Sequence, residues 1–214
     1  MATSKESQLQ ELLGHPSLWR GRSRAPIDTI STGFAALDAA LPGGGWPRSG
    51  LIEVLTPAHG IGELYLLLPA LAALTHTQPA RWCAWVGPPL EPFAPGLAAH
   101  GIALDRVLVV RTATPLWAQE QALRSGACEA AMVWLERASP RAIRRLQLAS
   151  ERGRTLGIMF RNLRFADESS PASLRLALEP TPEGGRATLL KSRGGTHTPV
   201  EVSWTATPQP SCEV

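Results

Sequence analysis

Lysine is almost absent from this chain. Only Lys5 and Lys191 occur, and every other Lys/Arg position is arginine. Neither falls in the glycine-containing loop at residues 56–64, so that loop has no ammonium group to set against a phosphate. Cysteine is scarce as well. Cys83, Cys128 and Cys212 have no metal-type spacing. Cys83 lies inside an apolar strand-like run and Cys128 just before another, so both read as buried thiols in a reducing cytosol. The longest apolar run, residues 64–74, is too short to span a bilayer and contains Pro69. The first ten residues are polar, which reads against a signal peptide. No Ser/His/Asp arrangement or carboxylate pair stands out, and His59 has no second ligand at usable spacing. These absences argue against a membrane span, a disulfide scaffold, a metal centre and the common hydrolytic sites. They leave a cytoplasmic domain.

What is present suits such a domain. The 214 residues are 44% hydrophobic, enough to bury a core, and the formal net charge of +3 is mild. That charge permits nucleic acid or an acidic partner but requires neither. Strand-like runs at 51–56, 81–87, 106–111, 130–135 and 155–161 alternate with helical patterns at 64–76, 93–100, 115–125 and 139–152. Alternation of this kind predicts an α/β fold with a mostly parallel sheet flanked by helices. From residue 172 the period changes to two. Strands at 173–178, 186–191 and 200–204, separated by Pro/Gly turns, predict a C-terminal antiparallel meander. Glu120 and Arg124 are expected to pair along the helix at 115–125. Residues 1–28 read as an N-terminal arm, 29–204 as the domain and 205–214 as a disordered tail. In the arm, Leu9, Leu12 and Leu13 share one side of a short amphipathic stretch, with Trp19 in a basic linker beyond it. They are candidates for partner binding, the plain alternative being an arm packed on its own domain.

The loop at 56–64 follows a short apolar strand and precedes an apolar helical run. That is the context of a phosphate-binding loop. Thr56, Gly60 and Gly62 supply its frame, but the next residues are Glu63 and Leu64. A carboxylate about 4 Å from a phosphate charge repels it by roughly 4 kcal/mol at an effective dielectric near 20. The residues describe a nucleotide-binding frame that has given up the nucleotide, so no cofactor is expected.

Residues 30–33 (Ile-Ser-Thr-Gly), Leu37-Asp38, the glycine-rich stretch at 43–50, Cys83-Ala84 and Ser125-Gly126 occur in an order that resembles the RecA-like recombinase core. More closely, the span from Ser7 to Trp204 resembles the ImuA family of RecA-like accessory proteins, through Leu-Trp-Arg-Gly-Arg at 18–22 and Leu-Leu-Leu-Pro-Ala-Leu at 66–71. The middle of the chain is also similar to the SOS cell-division inhibitor SulA. The first resemblance implies a degenerate RecA-like core. The lysine position falls at Gly62 or Glu63. The catalytic-glutamate neighbourhood is Gly87-Pro88-Pro89-Leu90, with Glu91 nearby. The acidic metal anchor falls at Trp134, with Glu136 beyond it. Loss of all three implies that the chain is not an enzyme.

The resemblance to ImuA further implies a non-catalytic adaptor in SOS-linked translesion synthesis and mutagenesis. Its partners would be ImuB and the ImuC error-prone polymerase complex, with RecA and single-stranded DNA as further candidates and a nucleoid-associated cytoplasmic location. The SulA likeness implies the alternative, a division inhibitor binding the tubulin-like division protein. The DNA candidates are Arg141, Arg144 and Arg145 on one helix face, and Arg161 and Arg164 beside Phe165. Basic groups flanking an aromatic suit a phosphate backbone and a stacked base, although a solvated basic surface has the same composition. Trp46 and Trp117 are candidate exposed interface residues, while Trp82 and Trp85 read as core or edge packing.

Overall fold

The computed structural model describes residues 27–192 and 198–204. In chain order the elements are β1 (Thr29–Ile30), α1 (Ala35–Ala40), β2 (Trp46–Pro47), β3 (Gly50–Thr56), α2 (Leu68–Thr75), β4 (Trp82–Val86), α3 (Ala94–Ala99), β5 (Val107–Val110), α4 (Pro115–Arg124), β6 (Cys128–Trp134), α5 (Pro140–Gly153), β7 (Leu156–Asn162), β8 (Leu174–Thr181), β9 (Gly184–Lys191) and β10 (Val200–Ser203). One eight-stranded sheet has the order β10-β9-β8-β3-β7-β6-β4-β5, and β1 and β2 form a separate two-stranded ribbon.

The pairing of β3 with β7, β7 with β6, β6 with β4 and β4 with β5 is parallel. Every residue of β3 and β6 is buried, as expected for strands covered on both faces. The meander is also present, with β9 antiparallel to β8 and β10 antiparallel to β9. Its first strand, β8, pairs parallel with β3. The meander therefore extends the central sheet through β3.

Residue alternation along each strand divides the core in two. One face packs Ile52, Val54, Trp85, Met132, Trp134 and Phe160 against Leu37 of α1 and Leu71 and Leu74 of α2. The other packs Leu51, Ala84, Val133 and Met159 against Leu123 of α4 and Ile143 and Leu146 of α5. Ser139 caps α5 by accepting a hydrogen bond from the Ala142 amide at 3.2 Å. At its other end Arg154 takes the left-handed conformation usually given to glycine (φ 50°). The glycine instead stands one residue earlier. A Cβ on Gly153 would lie 1.9 Å from the Leu123 carbonyl oxygen, so close approach of α4 decides that position.

Three local expectations need correction. The helix expected over 64–76 spans only Leu68–Thr75. Pro69 in its first turn has no N–H for a bond to an earlier carbonyl, so residues 63–67 form turns instead. Glu120 pairs with Arg145 of α5 rather than with Arg124, tying two helices together. Trp46 is fully buried in the same core cluster as Leu37 of α1; Trp117 is 61% exposed, as expected.

Candidate functional site

β3 ends at Thr56 and hands the chain to an exposed loop, residues 57–60. Gly60 and Gly62 both have positive φ, 79° and 101°. Glu63 then turns back into the loop. Its Oε1 accepts from the Gly60 amide at 2.9 Å and its Oε2 from the Ile61 amide at 3.0 Å. Consecutive amides converging on one anion make the cradle that phosphate loops offer a ligand. Here the anion is the chain's own carboxylate, only 4% exposed. The sequence supplies the acid, and the structure adds its direction. A readable signal existed, since a glutamate three residues after an amide is the back-reaching half of a capping box. Of the four predicted loop residues, Gly60, Gly62 and Glu63 share this turn. Thr56 closes the strand beneath it with its hydroxyl buried and unpartnered.

Beside the loop, beyond the carboxyl ends of β3, β4 and β6, lies a cleft of about 240 Å³. Ligand sites of open α/β sheets occur at such ends. Gly60, Gly62 and Tyr65 form one wall, Pro88, Pro89, Leu90 and Phe93 another, and Trp85 and Trp134 the floor. Trp134 holds the position where the recombinase resemblance puts an acidic metal anchor. It stacks on Phe160 with centroids 4.8 Å apart and an 18° interplanar angle. The indole Nε1 groups of Trp85 and Trp134 are buried without an acceptor; each such group costs about 1–3 kcal/mol. Glu91, the nearest substitute for a catalytic acid, is held by Arg111. Sequence reasoning missed this cleft. Its two tryptophans come from strands far apart in the chain and read only as core. Among the described residues no group of three or more metal-ligating side chains occurs.

The arginine candidates divide. Arg141 and Arg144 are exposed on α5, as is Arg145 with its Glu120 partner. Arg164 is exposed, with its guanidinium 4.8 Å from the Phe165 ring centroid. Arg161 departs from expectation. It is 1% exposed, and its Nη1 donates to Glu53 Oε1 at 2.6 Å. Glu53 Oε2 accepts from Arg175 Nε at 2.7 Å, and Arg161 Nη2 reaches Glu168 at 3.3 Å. Arg161 also lies 4.3 Å from the Phe165 centroid, so this aromatic ring already carries two guanidinium groups. A cleft of about 420 Å³ bordered by Arg137, Ser139, Pro140 and Phe165 lies between the start of α5 and the turn after β7, but Arg161, which also borders it, is held by Glu53. Lys191 donates to the Ser170 carbonyl at 2.6 Å. The partner candidates Leu9, Leu12, Leu13 and Trp19 lie outside the described residues.

Cys83 and Cys128 are free and buried. Burial, then the neighbouring Cys128, pushes the Cys83 thiol up to about 12. Burial also raises Cys128, against the opposing effects of Ser125 and Arg81. Both are inert core thiols.

The fold and loop define a mixed α/β protein built on a strand–glycine loop–helix unit. A family model for the cell division inhibitor SulA matches residues 54–157. SulA of Edwardsiella piscicida is 32% identical over 116 residues, 53% of this chain and 68% of that protein. The chain belongs to this SulA family. It is also related to ImuA of Caulobacter vibrioides, with 31% identity over 144 residues covering 64% of this chain and 59% of ImuA. RecA of Acidothermus cellulolyticus is 35% identical over 133 residues, covering 59% of this chain and 37% of that protein. The crystal structure of SulA from Pseudomonas aeruginosa aligns with a TM-score of 0.44 at 29% identity, covering 52% of this chain and 97% of that one. Among the described residues no helix is long and apolar enough to cross a membrane.

Proposed function

We propose that this chain is a non-catalytic, RecA-like adaptor in SOS-linked translesion DNA synthesis. It would bind ImuB within the ImuC polymerase complex at the nucleoid, with RecA and single-stranded DNA as further partners. The carrying observation is the Glu63 carboxylate seated on the Gly60 and Ile61 amides. A γ-phosphate arriving there must displace a hydrogen-bonded anion and then face its charge, with no lysine in compensation. The aromatic residue Trp134 at the metal-anchor position supports the same reading, as does the relation to ImuA over 64% of the chain. Titration calorimetry with magnesium-ATP is expected to register no binding, and affinity purification from DNA-damaged cells to recover ImuB. Micromolar ATP binding sinks the non-catalytic reading, and recovery without ImuB sinks the adaptor reading.

The second reading is a division inhibitor. It is favoured by the SulA match across residues 54–157. Overexpression separates the two, since filamentous growth with unchanged mutation frequency supports inhibition and the reverse supports the adaptor.

A further inference from the structure

The eight-stranded sheet has two edges, and they are not alike. At one edge β10 carries Glu201, which pairs with Arg186 of β9, and its Val202 is 3% exposed. At the other, β5 reads Val-Leu-Val-Val, and among the described residues β4 is its one neighbour in the sheet. Leu108 in its middle is 45% exposed, and Leu104 shortly before it is 40% exposed. Charged side chains along an edge strand discourage pairing with other chains. β10 has one within the strand, whereas near β5 the charges stand only beyond its ends, at Asp105, Arg106 and Arg111.

The backbone shows which groups of β5 face outward. The Gly87 amide donates to the Val110 carbonyl at 2.9 Å. Within a strand the N–H and C=O of one residue point the same way, and those of its neighbours point the opposite way. Val110 and Leu108 therefore bond to β4, while Val107 and Val109 turn their groups to the open side. The Val107 amide is taken by the Leu104 carbonyl of the preceding 3-10 turn. The Val107 carbonyl and both Val109 groups are left for a further strand. Leu108 stands beside Ala84, a residue of the core on the α4 and α5 side, so its side chain lies on the face where Trp117 of α4 is also exposed.

This edge is its own charge complement. In an antiparallel pair of two copies, outward residues must oppose outward residues. That admits a ladder centred on Leu108 or on Val109 and excludes one centred between them. Centred on Leu108, Val107 opposes Val109 of the second copy, and the two Leu108 side chains meet as a close, non-hydrogen-bonded pair. Asp105 then falls opposite Arg111 of the second copy, and the two-fold axis repeats the match at the other end. Centred on Val109, Arg111 falls opposite Val107 and no charges match. Asp105 and Arg111 already touch Arg106 and Glu91 within the chain, but exposed pairs of that kind hold their members weakly.

We infer that β5 is a self-association surface, at which two copies of this chain pair antiparallel about Leu108 and join their sheets. The inference is independent of both functional readings, because it concerns only the open edge.

Sedimentation velocity of the full chain over a concentration series tests it. The parent is expected to show a reversible monomer–dimer equilibrium that stops at two, since a two-fold pairing closes on itself. Val109→Pro removes an outward amide and none of the bonds to β4; it should leave the monomer. A proline can also disturb the strand, so the deciding variants lie outside it. Asp105→Arg and Arg111→Asp each set like charges opposite one another twice, and each should raise the dimer dissociation constant about tenfold. The combined Asp105→Arg/Arg111→Asp chain should return to the parent value. A parent that is monomeric at every concentration overturns the inference. So does a folded Val109→Pro chain that still dimerises, a dimer that neither single charge variant weakens, a combined variant no tighter than the singles, or an assembly that grows beyond two.

Discussion

Glu53 lies in the middle of β3 and Glu63 in the loop that follows it, and the protein neutralises them in different ways. Glu53 is fully buried and lies between the guanidinium groups of Arg161 and Arg175. Glu63 is nearly as buried but is held by two backbone amides. Full charges answer the first and dipoles the second. The difference decides what remains when the acid is removed. Deleting Glu53 leaves two buried guanidinium groups with Glu168 as their one remaining carboxylate and backbone carbonyls as the rest of their partners. Deleting Glu63 leaves two amides at the edge of an open cleft, where water or an external anion can satisfy them.

The largest expected effect is therefore at the first site. Glu53→Ala should destabilise the fold by about 3–5 kcal/mol, the usual cost of breaking a buried ion pair from one side. Arg161→Ala should cost less, because Glu53 keeps the Arg175 guanidinium. Urea unfolding measures both. A loss below about 1 kcal/mol, the range of exposed pairs, would mean that water reaches the network and that Arg161 is free for other work.

The second expected effect is smaller and changes in kind. Glu63→Ala should cost about 1.5–3 kcal/mol, the range for hydrogen bonds to a charged group. It should also create weak binding of pyrophosphate, detectable by calorimetry and absent in the parent chain. A variant equally stable and equally indifferent to pyrophosphate would show that the amides do not need the carboxylate, and the comparison with Glu53 would collapse.

These two acids also mark how far the sequence could be read. The alternating strands and helices, the parallel sheet and the meander followed from apolar periodicity, because buried strands must be apolar and the change to period two is local. The loop was legible at Gly60, Gly62 and Glu63 for the same reason, all its signals lying within a few residues. Arg161 was misread because its partner Glu53 lies 108 residues before it, on β3, the parallel neighbour of β7. A surface arginine and a buried one have the same local pattern, and only strand order brings their acids together. Trp85 and Trp134 illustrate the same limit, since two core-like tryptophans become a cleft floor only when β4 and β6 are neighbours.

A third effect depends on pH. The Cys83 and Cys128 thiols are both raised by burial. A thiol that ionises less readily in the folded state favours folding while the unfolded thiol remains protonated, below about pH 8.5. As pH rises from there toward the folded value near 12 for Cys83, the unfolded chain loses its proton first and stability falls. At pH 9.5 the expected loss from Cys83 is about 1.4 kcal/mol relative to pH 7.5, with Cys128 adding in the same direction. The Cys83→Ala/Cys128→Ala chain should show a flatter profile. Matching profiles would mean that the thiols are hydrated.

The smallest expected effect tests the exposed arginines against the buried one. Arg141→Ala and Arg164→Ala remove side chains that face solvent, so stability should stay within about 0.5 kcal/mol of the parent. If these groups meet single-stranded DNA, each substitution should weaken binding and flatten the salt dependence by about 0.7 in slope, one phosphate contact at a time. A gel shift at several salt concentrations reads both quantities. Arg161→Ala belongs in the same series as the contrasting case. Its DNA affinity should change only as far as its folded fraction does, because Glu53 already holds its guanidinium. A selective loss of slope in Arg161→Ala, with the fold intact, would reverse the assignment and return that residue to the surface chemistry its sequence neighbourhood suggested.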